Sequence, residues 1–340
     1  MVRPILVTGA TGFLGSHVVS ELYKSGLGSR VHLMLRSDPR EDSLLGLHFK
    51  EKGLDLKDIK PRLHFADLKD KDKFNSVLST LKNVSTEWIV IHLAAVINSQ
   101  GDEAAQEQVN FDRTRELLEW SNQNAKRFIY TSSIVAFGGS IDDTPRDESS
   151  YKDYSWLNTL DGYSRSKRKA HNAILETSKI STVILCPGII HGAYENRKSS
   201  RAHLQIVLKG KVRWVPGGIG AFASLQYVGE QILAAVTEAS FDSGIRVRLL
   251  NDICLKYVDY FQLYRDCAGK EKIKIRSFPT FFIYFFILLY GALRIVGKKS
   301  TLLGKLIQAL LNYNFTTART REEGLKALES GIRDSFIYKG

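Results

Sequence analysis

Residues 8–15 read Thr-Gly-Ala-Thr-Gly-Phe-Leu-Gly and follow the apolar run Ile5-Leu6-Val7 directly. They place Gly9, Gly12 and Gly15 three apart. In a strand-turn-helix unit, a first glycine permits the tight turn and a second lets the backbone approach a pyrophosphate. A third allows the helix to pack closely on the strand. The phosphate then sits on the helix N-terminus, where unpaired N–H groups and aligned peptide dipoles favour negative charge. The stretch therefore predicts a dinucleotide-binding turn built from Gly9, Thr11, Gly12, Phe13, Leu14 and Gly15, although its spacing is not the general G-x-G-x-x-G.

Outward from this turn, short β-type runs alternate with helical patterns. They are Val31–Leu35, Leu63–Phe65, Trp88–His92, Arg127–Tyr130 and Val183–Leu185. Each gap is long enough for a crossover helix, so the expected fold class is α/β, a doubly wound parallel sheet. Beyond residue 186 the alternation loosens at Pro187-Gly188, Gly192 and Pro216-Gly217-Gly218. This predicts a dinucleotide-binding domain over 1–185 and a smaller substrate-binding lobe over 186–340, interwoven with it. The second strand ends in Leu35 and Arg36, with Asp38 two residues later. An acid there would bind the ribose 2′-hydroxyl, and an arginine would take a 2′-phosphate. Arg36 carries a permanent charge on a planar fork suited to phosphate, so NADP is the preferred cofactor, with NAD through Asp38 as the alternative.

Composition bounds the partners. The 340 residues are 44% hydrophobic and 25% charged, with a formal net charge of +12. Such a charge suits nucleic acid, an anionic membrane surface or an acidic ligand, and does not choose among them. The dinucleotide turn supplies an acidic ligand, and no nucleic-acid partner is expected. Cys186, Cys254 and Cys267 lie far apart without a Cys-x-x-Cys pair, which argues against a disulfide framework or a metal site and for a reducing compartment. No basic stretch precedes the first apolar run, so no cleaved signal is expected and the address is cytoplasmic.

The chemistry concentrates in the middle of the chain. "YTSSIVAFGG" spans 130–139, and thirty residues past its second serine "YSRSK" gives Tyr163 and Lys167. Four apart on a helix, the two side chains share one face. A free tyrosine titrates near ~10, and a neighbouring ammonium favours its ionised form, which suits it to acid-base work near neutrality. Ser133, at the C-terminal end of a strand, is placed to hydrogen-bond a substrate carbonyl or alcohol oxygen. His92, Trp88 and Trp120 read as packing residues, and His191 as a loop histidine, with a pocket residue as the alternative.

Taken together, the ordered motifs resemble the extended short-chain dehydrogenase/reductase family, within the NAD-dependent epimerase/dehydratase superfamily. They are "TGATGFLG", "ADL" at 66–68, "HLAA" at 92–95, "VNFDRTRELLEW" at 109–120, "YTSSIVAFGG", Tyr163 with Lys167, and "CPGIIHG" at 186–192. The resemblance implies a Rossmann fold and a catalytic set of Ser133, Tyr163 and Lys167, with Asn110 supporting the site. It also implies that Asp67 and Leu68 flank the adenine, that Leu93, Ala94 and Ala95 line the cofactor cleft, and that Pro187 and Gly188 face the nicotinamide. The family's usual arginine before Pro-Gly is Cys186 here, and the usual aromatic of "YG" is Phe137. Both departures leave the chemistry intact.

A second unusual stretch is "SFPTFFIYFFILLYGALRIVGKK", whose uninterrupted apolar part runs from Phe281 to Leu293. Thirteen residues fall short of the roughly 18 that suggest a spanning helix. Lys270, Lys272, Lys274 and Arg276 precede it and Lys298, Lys299 and Lys305 follow. The pattern predicts a helix over 278–296 lying in one leaflet, with peripheral membrane attachment through 278–310; a buried lobe helix is the alternative. In position and character this resembles the 3β-hydroxysteroid dehydrogenase branch and implies a hydrophobic small-molecule substrate such as a sterol. The expected activity interconverts a secondary alcohol and a ketone, in a chain for which a homodimer is also open. A nucleotide-sugar epimerase or dehydratase is the second reading. A non-catalytic dinucleotide sensor on a membrane is the third, and the intact Ser133, Tyr163 and Lys167 weigh against it.

Overall fold

Most of the apolar runs form strands buried on both faces, as an α/β sheet covered by helices requires, and the edge strand Leu63–Phe65 is partly exposed. In the computed structural model, which describes residues 3–97, 102–152, 161–195, 208–210, 213–239, 244–270, 274–278, 282–296 and 301–336, seven parallel strands stand in the order β10-β6-β5-β4-β1-β2-β3. These are β1 (Ile5–Thr8), β2 (Val31–Leu35), β3 (Leu63–Phe65), β4 (Trp88–His92), β5 (Ala125–Thr131), β6 (Ser181–Pro187) and β10 (Ile245–Leu250). The order reverses between β1 and β4. A doubly wound sheet opens its ligand crevice at such a switch point, beyond the carboxyl ends of the strands.

Alternate residues of β1 feed two cores. Ile5 and Val7 join the cluster packed by α1 (Phe13–Lys24), α2 (Leu44–Glu51) and α7 (Leu225–Thr237). Leu6 joins the cluster on the other face, packed by α3 (Lys71–Val84), α5 (Arg113–Asn124) and α6 (Gly162–Thr177). The six runs read from the sequence all form strands. The seventh, β10, comes from beyond residue 186 and pairs with β6, so the sheet takes strands from both sides of that position.

The rest of the second lobe carries a three-stranded sheet, β11 (Ile253–Lys256), β9 (Ile219–Ser224) and β7 (Ile189–His191), and a short pair, β8 (Trp214–Val215) and β12 (Arg276–Ser277). Against it lie α8 (Tyr257–Cys267) and α11 (Arg321–Asp334). Thr320 and Glu323 close a reciprocal capping box on α11 and satisfy N–H groups at its start. Between them in sequence, α9 (Phe282–Ile295) and α10 (Thr301–Leu310) send Ile283, Tyr290, Leu303 and Ile307 into the core shared with α6. Among the described residues no helix is long and apolar enough to cross a membrane.

Candidate functional site

Each glycine of the turn meets a different requirement. Gly9 has a φ of +77°, a conformation that side chains with a Cβ resist, and a Cβ there would stand 2.5 Å from the Ala94 nitrogen. The turn after β1 and the loop after β4 are therefore in backbone contact at the switch point. A Cβ on Gly15 would lie 2.0 Å from the Gly9 carbonyl oxygen, so this glycine seats α1 on the turn. Gly12 is the N-cap of α1 and brings no side-chain cap, which leaves first-turn N–H groups to a ligand. Phe13 is buried in the core and Leu14 packs against the same cluster, so only their backbone is left to face a phosphate.

Beyond this cradle runs a cleft of about 220 Å³ lined by Gly9, Thr11, Gly12, Arg36, Asp67, Leu68, Leu93, Ala94 and Ala95. These expected cofactor residues come from four separate loops of the sheet edge. Met34, Leu35, Ala66, Val96 and Val109 complete its apolar walls, and Lys69 adds a second cation. Nothing in the sequence set Lys69 apart from other surface lysines. Arg36 is exposed and lies in the lining, whereas Asp38 does not.

Asn110 sits in a short π-helical segment, Gln108–Asp112, between α4 (Glu103–Glu107) and α5. Such insertions often mark functional positions. Its fully buried amide accepts from the Val96 N–H at 2.7 Å and donates to the Val96 carbonyl at 3.1 Å and to Ser166 Oγ at 3.0 Å. It thereby ties the cleft wall to α6.

The start of α6 is fixed by Asp161, which accepts from the Ser164 N–H at 3.0 Å. Tyr163 is half-buried in the first turn, and Lys167 follows one turn later on the same face, fully enclosed. The Lys167 ammonium donates to the Thr131 carbonyl at 2.8 Å and reaches the Tyr130 phenol at 3.5 Å. Burial pushes its pKa down to about 7. Ser133 follows β5, half-buried, and its Oγ accepts from the Val135 N–H at 3.4 Å. The strand end and α6 thus bring Ser133, Tyr163 and Lys167 to the same edge of the sheet as the cleft.

Other positions resolve differently. Pro187 ends β6, and the Gly188 N–H donates to the Leu250 carbonyl at 3.0 Å. A Cβ on Gly188 would stand 2.4 Å from the Ala221 carbonyl oxygen, so that glycine answers to packing against β9, outside the cleft lining. His92 is a buried packing residue between Thr8 Oγ1 at 2.6 Å and Thr114 Oγ1 at 2.8 Å. His191 departs from the loop expectation. It ends β7, fully buried, between Glu195 at 3.0 Å and the Tyr260 phenol at 3.1 Å. Neither partner stands out as one in the sequence.

The profile of the NAD dependent epimerase/dehydratase family matches residues 5–214, which hold the turn, the cleft loops and Ser133, Tyr163 and Lys167. The chain belongs to this family. Relatives in it carry several chemistries. Vestitone reductase of Medicago sativa is 31% identical over 189 residues, 51% of this chain and 52% of the relative. ADP-L-glycero-D-manno-heptose-6-epimerase of Alkalilimnicola ehrlichii is 31% identical over 139 residues, 40% of this chain and 38% of its own. The chain spans about half the length, or less, of the curated relatives it matches. Among solved structures, gox2253 superposes with a TM-score of 0.74 at 19% identity, covering 98% of this chain and 97% of its own. The Bordetella bronchiseptica enzyme WbmG, in complex with NAD, gives a TM-score of 0.65 at 12% identity over 97% of this chain and 96% of its own. The chain therefore shares the fold of these structures along nearly its whole length.

Proposed function

We propose that this member of the family is an NADP-preferring oxidoreductase that interconverts a secondary alcohol and a ketone on a hydrophobic substrate, a 3β-hydroxysteroid, sterol or similar lipid. The observation that carries the reading is Lys167. Its buried ammonium is held by the Thr131 carbonyl at 2.8 Å, one helical turn from Tyr163 and beside a cleft suited to a dinucleotide.

The backbone of Gly9–Gly15 would hold the pyrophosphate, Asp67 and Leu68 the adenine side, and Arg36 a 2′-phosphate. When bound, the nicotinamide supplies the hydride acceptor or donor. In the oxidation direction the Tyr163 phenolate takes the hydroxyl proton, and the Ser133 hydroxyl donates to the same oxygen. In reduction the Tyr163 phenol returns that proton. The ammonium of Lys167 favours the phenolate and would hold the cofactor's ribose, while Asn110 keeps α6 in register with the cleft wall. The apolar character of the substrate rests on α9 and α10. Gln308 of α10 donates to Ser164 Oγ at 3.0 Å, next to Tyr163, so the apolar lobe adjoins the reactive end of α6.

Losing a charge-assisted contact to the 2′-phosphate costs roughly 1.5–3 kcal/mol, so Arg36→Ala is expected to weaken NADPH binding about tenfold to a hundredfold and leave NADH nearly unchanged. Fluorescence titration of both cofactors checks this. Equal NADPH affinity in the two proteins, or tighter NADH binding by the wild type, contradicts the assignment. For the substrate, conversion of a nucleotide sugar with no turnover of lipophilic alcohols would favour the epimerase reading.

A further inference from the structure

We propose that the outward face of α9, with the Trp214–Phe278 corner that precedes it, docks on an anionic lipid bilayer. The inference does not depend on the reaction proposed above. One side of α9 is committed to the core through Ile283 and Tyr290, with Phe286 and Leu293 packed beside them. The opposite side leaves Phe285, Leu288 and Ile295 at 60%, 73% and 87% exposure, and Phe282 and Leu289 at 38% and 41%. At about 100° per residue these positions fall on one side of the helix and form one stripe, where a water-facing helix would carry polar groups. Exposed apolar surface of this kind marks an interaction site.

The corner repeats the composition. Trp214 and Phe278 are each nearly half exposed, with ring centres 5.5 Å apart, and the Arg276 guanidinium lies 5.7 Å from the Trp214 ring centre. Aromatic rings beside a cation suit the level of lipid headgroups. Charge then selects the occupant. The fifty residues 272–321 contain nine lysines and arginines and no aspartate or glutamate. A second copy seated about a two-fold axis would set that charge against itself. Nucleic acid would answer the charge and leave the stripe wet. An anionic bilayer answers both, and since α9 is too short to cross, it lies in the plane of the surface.

Cosedimentation with vesicles tests this, using pure phosphatidylcholine and the same lipid with one third phosphatidylglycerol. The wild type is expected to partition onto the anionic vesicles roughly tenfold better than onto the neutral ones, with partial release at high salt. Phe285→Ser/Leu288→Ser/Ile295→Ser is expected to lose that binding by at least roughly tenfold while retaining its melting temperature. Lys274→Glu/Arg276→Glu, at exposed positions outside the core, is expected to erase the preference for anionic lipid. A wild type that stays in the supernatant with both lipids overturns the proposal, as does a triple variant that folds and binds as well as the wild type. So does a wild-type dimer that the triple variant converts to monomer in the absence of any vesicle binding, which would make the stripe a self-interface.

Discussion

Tyr163→Phe is expected to lower turnover by roughly 10²–10⁴-fold, the usual contribution of a positioned acid-base group, with dinucleotide affinity nearly unchanged. The ring is half-buried in the first turn of α6, so phenylalanine keeps the packing and removes only the phenol oxygen. Single-turnover rates and cofactor titration on the same preparations separate the two effects. A variant that retains more than about a tenth of the wild-type rate would remove Tyr163 from the mechanism. Lys167→Ala is expected to damage both quantities. It deletes the ammonium held by the Thr131 carbonyl at 2.8 Å, which in the proposed mechanism would serve both the phenol and the ribose.

Acid is expected to unfold the protein well above the usual carboxylate range. His48, His92 and His171 are buried, and burial is the main cause that pushes each pKa down to about 3. In the unfolded chain the same groups titrate near ~6.5. The unfolded state therefore takes up protons first, so the stability these histidines contribute is complete above pH ~6.5 and is lost progressively as pH falls toward about 3. Each group costs about 1.4 kcal/mol per pH unit inside that window, so the three together cost roughly 4 kcal/mol by pH ~5.5, a large share of a typical domain stability. Thermal melts between pH ~7.5 and ~5.5 should show a steep fall, and His92→Gln should flatten it. A melting temperature that holds steady across the interval, or a variant with the wild-type slope, contradicts this account of the core.

Most of the strands that sequence reading found are buried on both faces, an environment that demands unbroken apolar runs such as Ile5-Leu6-Val7; β3, partly exposed at a sheet edge, is the exception. The strand of the seven-stranded sheet that it missed, β10, lies at the sheet edge. There Arg246 and Arg248 alternate with apolar residues and reach Glu238 on the surface, so the run looks polar. The glycine turn was fully legible, since Gly9 and Gly15 are fixed by sterics that no other residue satisfies. Long-range partnerships were not. Asn110 joins Val96 to Ser166, and Tyr260 caps His191 from 69 positions away. The helix α9 was ambiguous for a different reason. It is apolar all round, so only the fold could decide which stripe packs and which stays outside.

The most direct measurement of the central claim follows a label. The protein is incubated with NADPH carrying deuterium at the transferable nicotinamide position, together with a panel of lipophilic ketones and, separately, nucleotide sugars. The account predicts deuterium at the carbinol carbon of a lipophilic alcohol, one NADP⁺ formed for each alcohol, and loss of both in Tyr163→Phe. A nucleotide sugar converted with no net oxidation of the cofactor, and no label in any lipophilic product, would contradict it.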